Sequence, residues 1–166
     1  MSENDRGSEP ALTHVREDGA VHMVDVSAKQ ATVRTARASA VVVTTPETVA
    51  LVATGDLPKG EALATARIAG ILAAKQTPQL IPLCHPLPLS AVEVSFALTP
   101  EEGRIGIETF VKTTAPTGVE MEALTAASVA ALTVFDMIKA VDATAVIEGI
   151  RVVEKRGGKS DIGGGA

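Results

Sequence analysis

The side chains in this sequence that could do chemistry fall into a few short groups. Asp136 and Lys139 are three positions apart, a spacing that sets both on one face of a helix. An exposed ion pair would explain them, and so would a pair of acid–base groups. Their place argues for the second. Asp136 falls in the last turns of a long apolar helix, where the macrodipole disfavours a negative charge. Leu132, Val134, Phe135, Met137 and Ile138 surround the pair in sequence, company in which the pKa values of a carboxylate and an ammonium can be tuned. Lys59, in Lys59-Gly60-Glu61, stands just ahead of another helix. It is either a solvated loop lysine or the cation of an anion site built on a helix N-terminus. Arg67 and Lys75 fall roughly on one side of that helix, so the three cations together could receive a polyphosphate.

Leu83-Cys84-His85-Pro86 sets a thiol beside an imidazole in a proline-bounded loop. A zinc site would need more ligands at suitable spacing. The other histidines, His14 and His22, lie near the N-terminal tail, and there is no second cysteine, so no metal site is expected. Adjacent residues in an extended loop point apart, which weakens a thiolate–imidazole pair and leaves His85 alone as an acid or base. Thr117-Gly118-Val119-Glu120 fits a capping box, which would give Glu120 a structural duty. Glu120 and Glu122 flank Met121. Two carboxylates at that spacing face different ways on a helix and the same way in an extended segment. The expectation is that they serve one site only if the helix begins nearer 122 than 118. Gly158-Lys159-Ser160 resembles the end of a phosphate-binding loop, but Val153 stands where its first glycine should be, and no GxGxxG occurs.

The elements that must position these residues can be read from periodicity. Thr32 to Thr44 is rich in Val, Thr and Ala and reads as a strand. Thr44-Thr45-Pro46-Glu47 opens a short helix, with Glu47 as the capping-box acid, and Gly55 ends it. Gly60 to Lys75 is helical, with Ala62, Ala66, Ala69, Gly70 and Ala73 as a small-residue side, and Pro78 stops it. The prolines at 78, 82, 86 and 88 exclude a regular helix or a central strand between Thr77 and Pro88. Val92, Val94, Phe96 and Leu98 alternate with smaller or polar residues, Pro100 to Gly103 turns, and Ile105, Ile107, Thr109 and Val111 alternate again: a hairpin. Val119 to Val141 is a long helix with Leu124, Ala127, Ala131, Val134, Phe135 and Ile138 as its apolar face. Val146, Ile150 and Val152 mark a last strand. This order predicts an α+β fold, a ferredoxin-like antiparallel sheet with helices packed on one face. The other face needs cover, and a second copy of the chain would supply it. One domain is expected over residues 23–156, with a flexible N-terminal tail over 1–22 and a flexible Gly-rich tail over 157–166.

Composition narrows the class. With 166 residues and 46% apolar content, the chain can bury one core and is not a disordered protein. Three Phe and no Tyr or Trp leave a core of Val, Ile, Leu and Ala, with few platforms for stacking single-stranded bases. A net charge of −5 makes a poor general polyanion binder. A single cysteine excludes an internal disulfide. No apolar run of membrane-spanning length occurs, and the polar, acidic residues 1–10 lack the apolar stretch of a signal peptide, so the expectation is a cytoplasmic protein without nucleic-acid or membrane partners.

Four runs together resemble one family: His22-Met23-Val24-Asp25-Val26-Ser27, KGEALATARIAGILAAKQT from Lys59, LIPLCHPLPLS from Leu80, and TGVEMEALTAASVAALTVFDMIKAVD from Thr117. They look like the cyclic pyranopterin monophosphate synthase family, protein C of molybdenum-cofactor biosynthesis, over about residues 20 to 160. The resemblance implies a ferredoxin-like subunit in a hexamer, a trimer of dimers, with active sites between subunits. It implies a nucleotide-derived triphosphate substrate, 3′,8-cyclo-7,8-dihydro-GTP, turned into the cyclic pterin with loss of diphosphate. Carried over by position, the family's essential aspartate falls on Asp136 and its lysines on Lys59 and Lys139. Its substrate-contacting runs fall on Leu83-Cys84-His85 and Met121-Glu122, with Glu120 beside them. No cofactor is required by the sequence, although magnesium could accompany the triphosphate. After Gly157-Gly158-Lys159-Ser160 the family pattern has a further glycine, where this chain has Asp161. The competing expectation is a ferredoxin-like regulatory module that binds a nucleotide without turning it over.

Overall fold

The computed structural model describes residue 15 and residues 18–163. The N-terminal tail expected over residues 1–22 therefore lies largely outside the described residues, as do residues 164–166. A strand, β1 (Thr32–Val43), is followed by two helices, α1 (Pro46–Thr54) and α2 (Ala62–Lys75), and a single helical turn, α3 (Thr77–Leu80). Strands β2 (Leu89–Thr99) and β3 (Arg104–Ala115) flank a 3-10 turn over Pro100–Glu102, and helix α4 (Glu120–Ile138) leads to β4 (Val146–Arg156). The strands form one antiparallel sheet in the order β2-β3-β1-β4. This is the expected α+β architecture, with helices packed against a four-stranded sheet.

Alternation decides which face is covered. Ala36, Ala38, Ala40 and Val42 of β1 and Ile105, Ile107, Thr109 and Val111 of β3 are buried beneath the helices. The methyl side chains on β1 meet Ala123, Ala127, Ala130 and Ala131 of α4. Small residues on both surfaces let the backbones approach closely, which is how a core with few aromatics reaches native density. Thr109 fits the same layer because its hydroxyl donates to the Ala123 carbonyl at 2.8 Å, so that buried hydroxyl is not left unmatched. Helices α2 and α4 pack tightly at Gly70, where a Cβ would lie 3.0 Å from the Ala126 carbonyl oxygen and 3.3 Å from Ala130 Cβ. The opposite face of the sheet carries Arg37, which pairs with Glu108 at 2.7 Å and lies 4.8 Å from the centre of the Phe110 ring. Arg104 pairs with Glu148 there at 2.9 Å. No other element of the described chain covers this face.

Several local expectations need correction. Thr45 does cap α1, but its hydroxyl accepts from the Thr48 amide at 3.2 Å; Thr48 rather than Glu47 stands at the third helical position, the one a capping box uses. Pro78 does not simply stop α2. It sits in the first turn of α3, where a missing N–H costs nothing, so one helical turn forms inside the proline-rich segment. Helix α4 runs from Glu120 to Ile138, shorter than the expected Val119 to Val141. Its end is fixed by Asp142, a buried carboxylate that accepts from the Thr44 hydroxyl at 2.6 Å and from the Thr144 amide at 2.9 Å. Those bonds tie the α4–β4 turn to the end of β1. By length and composition α4 could cross a membrane, yet 56% of its most apolar window is buried inside the protein, as befits a core helix. After β4 the chain turns at Gly157, and Ile162 returns to bridge Lys155.

Candidate active site

The predicted residues gather in two places, at the two ends of α4. At its C-terminal end, Asp136 sits between two lysines. Lys139 Nζ lies 2.7 Å from Asp136 Oδ1, and Lys59 Nζ lies 2.9 Å from Oδ2. Lys59 reaches there from the loop between α1 and α2, which is anchored by buried Leu57 and by the Gly60 amide donating to the Leu57 carbonyl. Its ammonium also donates to the Asp136 backbone carbonyl at 2.7 Å. That carbonyl is one of the orphan acceptors at a helix end, so the same contact offsets both the unmet hydrogen bond and the dipole that opposed a carboxylate here. The Asp136 side chain is 55% exposed, not embedded among the neighbouring apolar residues as the sequence suggested. Its pKa is held down at about 2 by hydrogen bonds from Lys139 and then Lys59. Arg67 and Lys75 do not join this cluster. Arg67 Nε donates to the Val94 carbonyl at 3.0 Å, stapling α2 to the edge strand β2, and Lys75 lies in the last turn of α2, away from Lys59.

At the N-terminal end of α4 a cavity of about 450 Å³ opens. Leu83, Cys84, His85, Glu120, Met121 and Glu122 all line it, so the two predicted runs form one site. The apolar lining of Val24, Val26, Leu83, Leu87 and Met121 suits a planar ring, and the carboxyls, imidazole and thiol supply donors and acceptors. Glu122 is 3% exposed. Burial, with Glu120 adding like-charge repulsion, pushes its carboxyl up to about 7. A carboxyl at that value can hold or release a proton near neutral pH. Burial first, and Glu122 second, push the Cys84 thiol up, which opposes a thiolate nucleophile. His85 Nε2 lies 2.8 Å from the Val24 carbonyl.

The expected capping box does not form. Val119 stands at the cap position with no side-chain bond, and Glu120 is the first helical residue. The carboxylate of Glu120 instead pairs with Lys155 of β4 at 2.9 Å. It folds back over Gly118, where any Cβ would collide with Glu120 Oε2. Both glutamates therefore line the cavity although the helix begins at 120, not nearer 122. A helix's first side chain can swing back beyond its end, which the two-apart rule ignores. Sequence reasoning missed Lys155 and Lys29. Lys155 gives no signal inside an alternating strand. Lys29, another cavity-lining residue, closely follows the His22–Ser27 run and could have been found there. Arg34 was also missed; it donates to the Pro116 carbonyl at 3.2 Å, and its Nε is buried without a partner. Among the described residues, no group of three or more His, Cys, Asp and Glu side chains is placed to hold a metal ion.

Fold and cavity define an α+β protein with an acid-rich, half-apolar pocket and a separate lysine–aspartate cluster, equipment for proton transfer on a small polar ligand. Residues 23–158 match the MoaC family. The chain is 60% identical over 149 residues to the cyclic pyranopterin monophosphate synthase of Corynebacterium efficiens, spanning 90% of this chain and 95% of that one. It is equally similar, at 60% over 149 residues, to the enzymes of that name from Streptomyces avermitilis and Corynebacterium glutamicum, covering 86% and 94% of their lengths. The chain belongs to the MoaC family.

Proposed function

We propose that this chain is a cyclic pyranopterin monophosphate synthase, a lyase of molybdenum cofactor biosynthesis. It converts 3′,8-cyclo-7,8-dihydro-GTP to cyclic pyranopterin monophosphate and releases diphosphate. The observation that carries this is the 60% identity to enzymes of that name over 90% of the chain. The cavity supports it, because residues from the 83–85 loop and the first turn of α4 meet there as the chemistry needs. Opening the imidazole of the guanine and rebuilding it as a pterin requires several proton transfers. Glu122 and His85 are the groups suited to them. Closing the cyclic phosphate expels diphosphate when a ligand hydroxyl attacks the α-phosphorus. The charge that develops calls for cations, and Lys59 and Lys139 are the candidates, both held in place by Asp136. Magnesium enters this reading only as a companion of the triphosphate.

The two clusters lie about 21 Å apart along α4, taking the fourteen residues from Glu122 to Asp136 at 1.5 Å each. One substrate cannot touch both on one subunit. The complete site is therefore shared, with the cavity of one copy facing the lysine–aspartate cluster of another. The uncovered sheet face is a surface through which copies could associate, and a hexamer built as a trimer of dimers fits this need. The protein is read as cytoplasmic, with one catalytic domain over residues 23–156 and no nucleic-acid or membrane partner. The direct test supplies the cyclic dihydro-GTP to purified protein and measures diphosphate. Stoichiometric diphosphate with the cyclic pterin is expected. Binding with no diphosphate would mark a nucleotide-binding module instead.

A further inference from the structure

The segment ahead of β1 has no helix or strand over residues 22–26, yet it is fixed in place. Asp25 Oδ1 accepts from the Ser27 amide at 2.8 Å, and the Lys29 amide donates to the Val26 carbonyl at 3.0 Å. Val24, Val26 and Lys29 of this strap form part of the cavity wall. One bond ties the wall to the opposing loop, His85 Nε2 to the Val24 carbonyl at 2.8 Å. A carbonyl oxygen can only accept. The hydrogen therefore sits on Nε2 whether the ring is neutral or charged. Nδ1 has no hydrogen-bond partner among the described residues and is not one of their buried, unmatched atoms.

We propose that the strap is a working part of the site: the Val24 carbonyl orients His85 so that Nδ1 alone exchanges protons with the ligand. This rests on the cavity being the ligand site. The neutral ring takes a proton from a ligand O–H or N–H onto its Nδ1 lone pair. The ligand heteroatom keeps the bonding electrons, and the ring becomes an imidazolium with Nε2–H still held by the carbonyl. The same proton leaves from Nδ1 to a later leaving oxygen or nitrogen, which restores the neutral ring. A carbonyl on the far nitrogen fixes the tautomer and the ring orientation, as it does for metal-bound histidines. Glu120, Glu122 and Lys29 line the same cavity as His85.

Nitrogen-15 NMR on the full chain at alkaline pH reads the tautomer directly, with His85 assigned by loss of its signals in His85→Gln. The Nε2–H form is expected. The Nδ1–H form overturns the proposal whether or not the protein turns substrate over, whereas failure of the enzyme reading would show as wild-type protein releasing no diphosphate. Kinetics of His85→Gln and His85→Asn provide a second test. Glutamine sets an amide where Nε2 stood and can keep the Val24 bond, but it offers no basic nitrogen. Its KM should stay within about threefold of wild type while kcat falls by about 10²–10⁴-fold. Asparagine cannot reach Val24, so its KM should rise as well. Wild-type kcat in His85→Gln, or equal KM in the two variants, overturns the assignment.

Discussion

Asp136 and Glu122 show how position divides two carboxyls between two kinds of work. Asp136 is half in water and gripped by two ammonium groups, so its carboxyl stays charged down to about pH 2. It is a fixed anion at any working pH and a poor proton carrier. Asp136→Asn should leave Lys59 and Lys139 facing each other without a counter-charge. Turnover should fall by about 10²-fold or more, with little change in the urea midpoint; normal diphosphate release by a folded variant would remove Asp136 from the mechanism. Glu122 behaves oppositely. Its folded-state pKa of about 7 stands above the ordinary glutamate value of 4.5. Between those values the unfolded chain has released the proton that the folded chain still holds, so rising pH favours unfolding through this group. The penalty is complete above about 7. Urea midpoints measured at pH 5 and pH 8 should fall further for wild type than for Glu122→Gln, and equal falls would show that Glu122 is not perturbed. These roles were only half legible in sequence. Spacing placed Asp136 beside Lys139, but not the second lysine, which arrives from a loop 77 residues away.

At the scale of elements, the packing of α2 on α4 is set by small residues, and its tolerance should be narrow. A branched side chain at Gly70 would press on the Ala126 carbonyl and the Ala130 methyl, both on the buried face of α4. Gly70→Val should cost about 1–3 kcal/mol by overpacking, read as a shift in urea midpoint at unchanged slope. An unaltered midpoint would mean the helices separate freely. Residue pattern was enough to predict the strands, α2 and α4, because a half-buried strand or a packed helix face imposes its period on the sequence, while α1 was legible from its Thr–Pro start and Gly55 stop. Helix ends were harder. The end of α4 depends on Asp142 reaching Thr44 and Thr144, and the start depends on Glu120 preferring Lys155 to its own backbone. Both are choices made by distant partners, which no local pattern records.

At the scale of the whole molecule, division of the site between two copies makes a prediction that single-chain properties cannot. Asp136→Asn and Glu122→Gln each disable one half of the proposed shared site. Unfolded together and refolded as a mixture, the two inactive proteins should regain activity, because mixed assemblies contain some sites with both halves intact. Activity no greater than the sum of the separate variants would place the whole site on one chain. The resemblance implied sites between subunits, but the motif itself does not record the proposed division, since residues at both ends of one helix look like neighbours when a single run covers them. Helix α4 thereby acquires a further duty as a ruler. Its 19 residues fix the distance and the angle between the cavity and the lysine–aspartate cluster, the two halves of the proposed shared site. An alanine inserted in its middle would lengthen it by only 1.5 Å but turn one end by about 100° against the other. A chain so altered would keep its helix content, yet its two ends would no longer serve two sites of the proposed assembly at once.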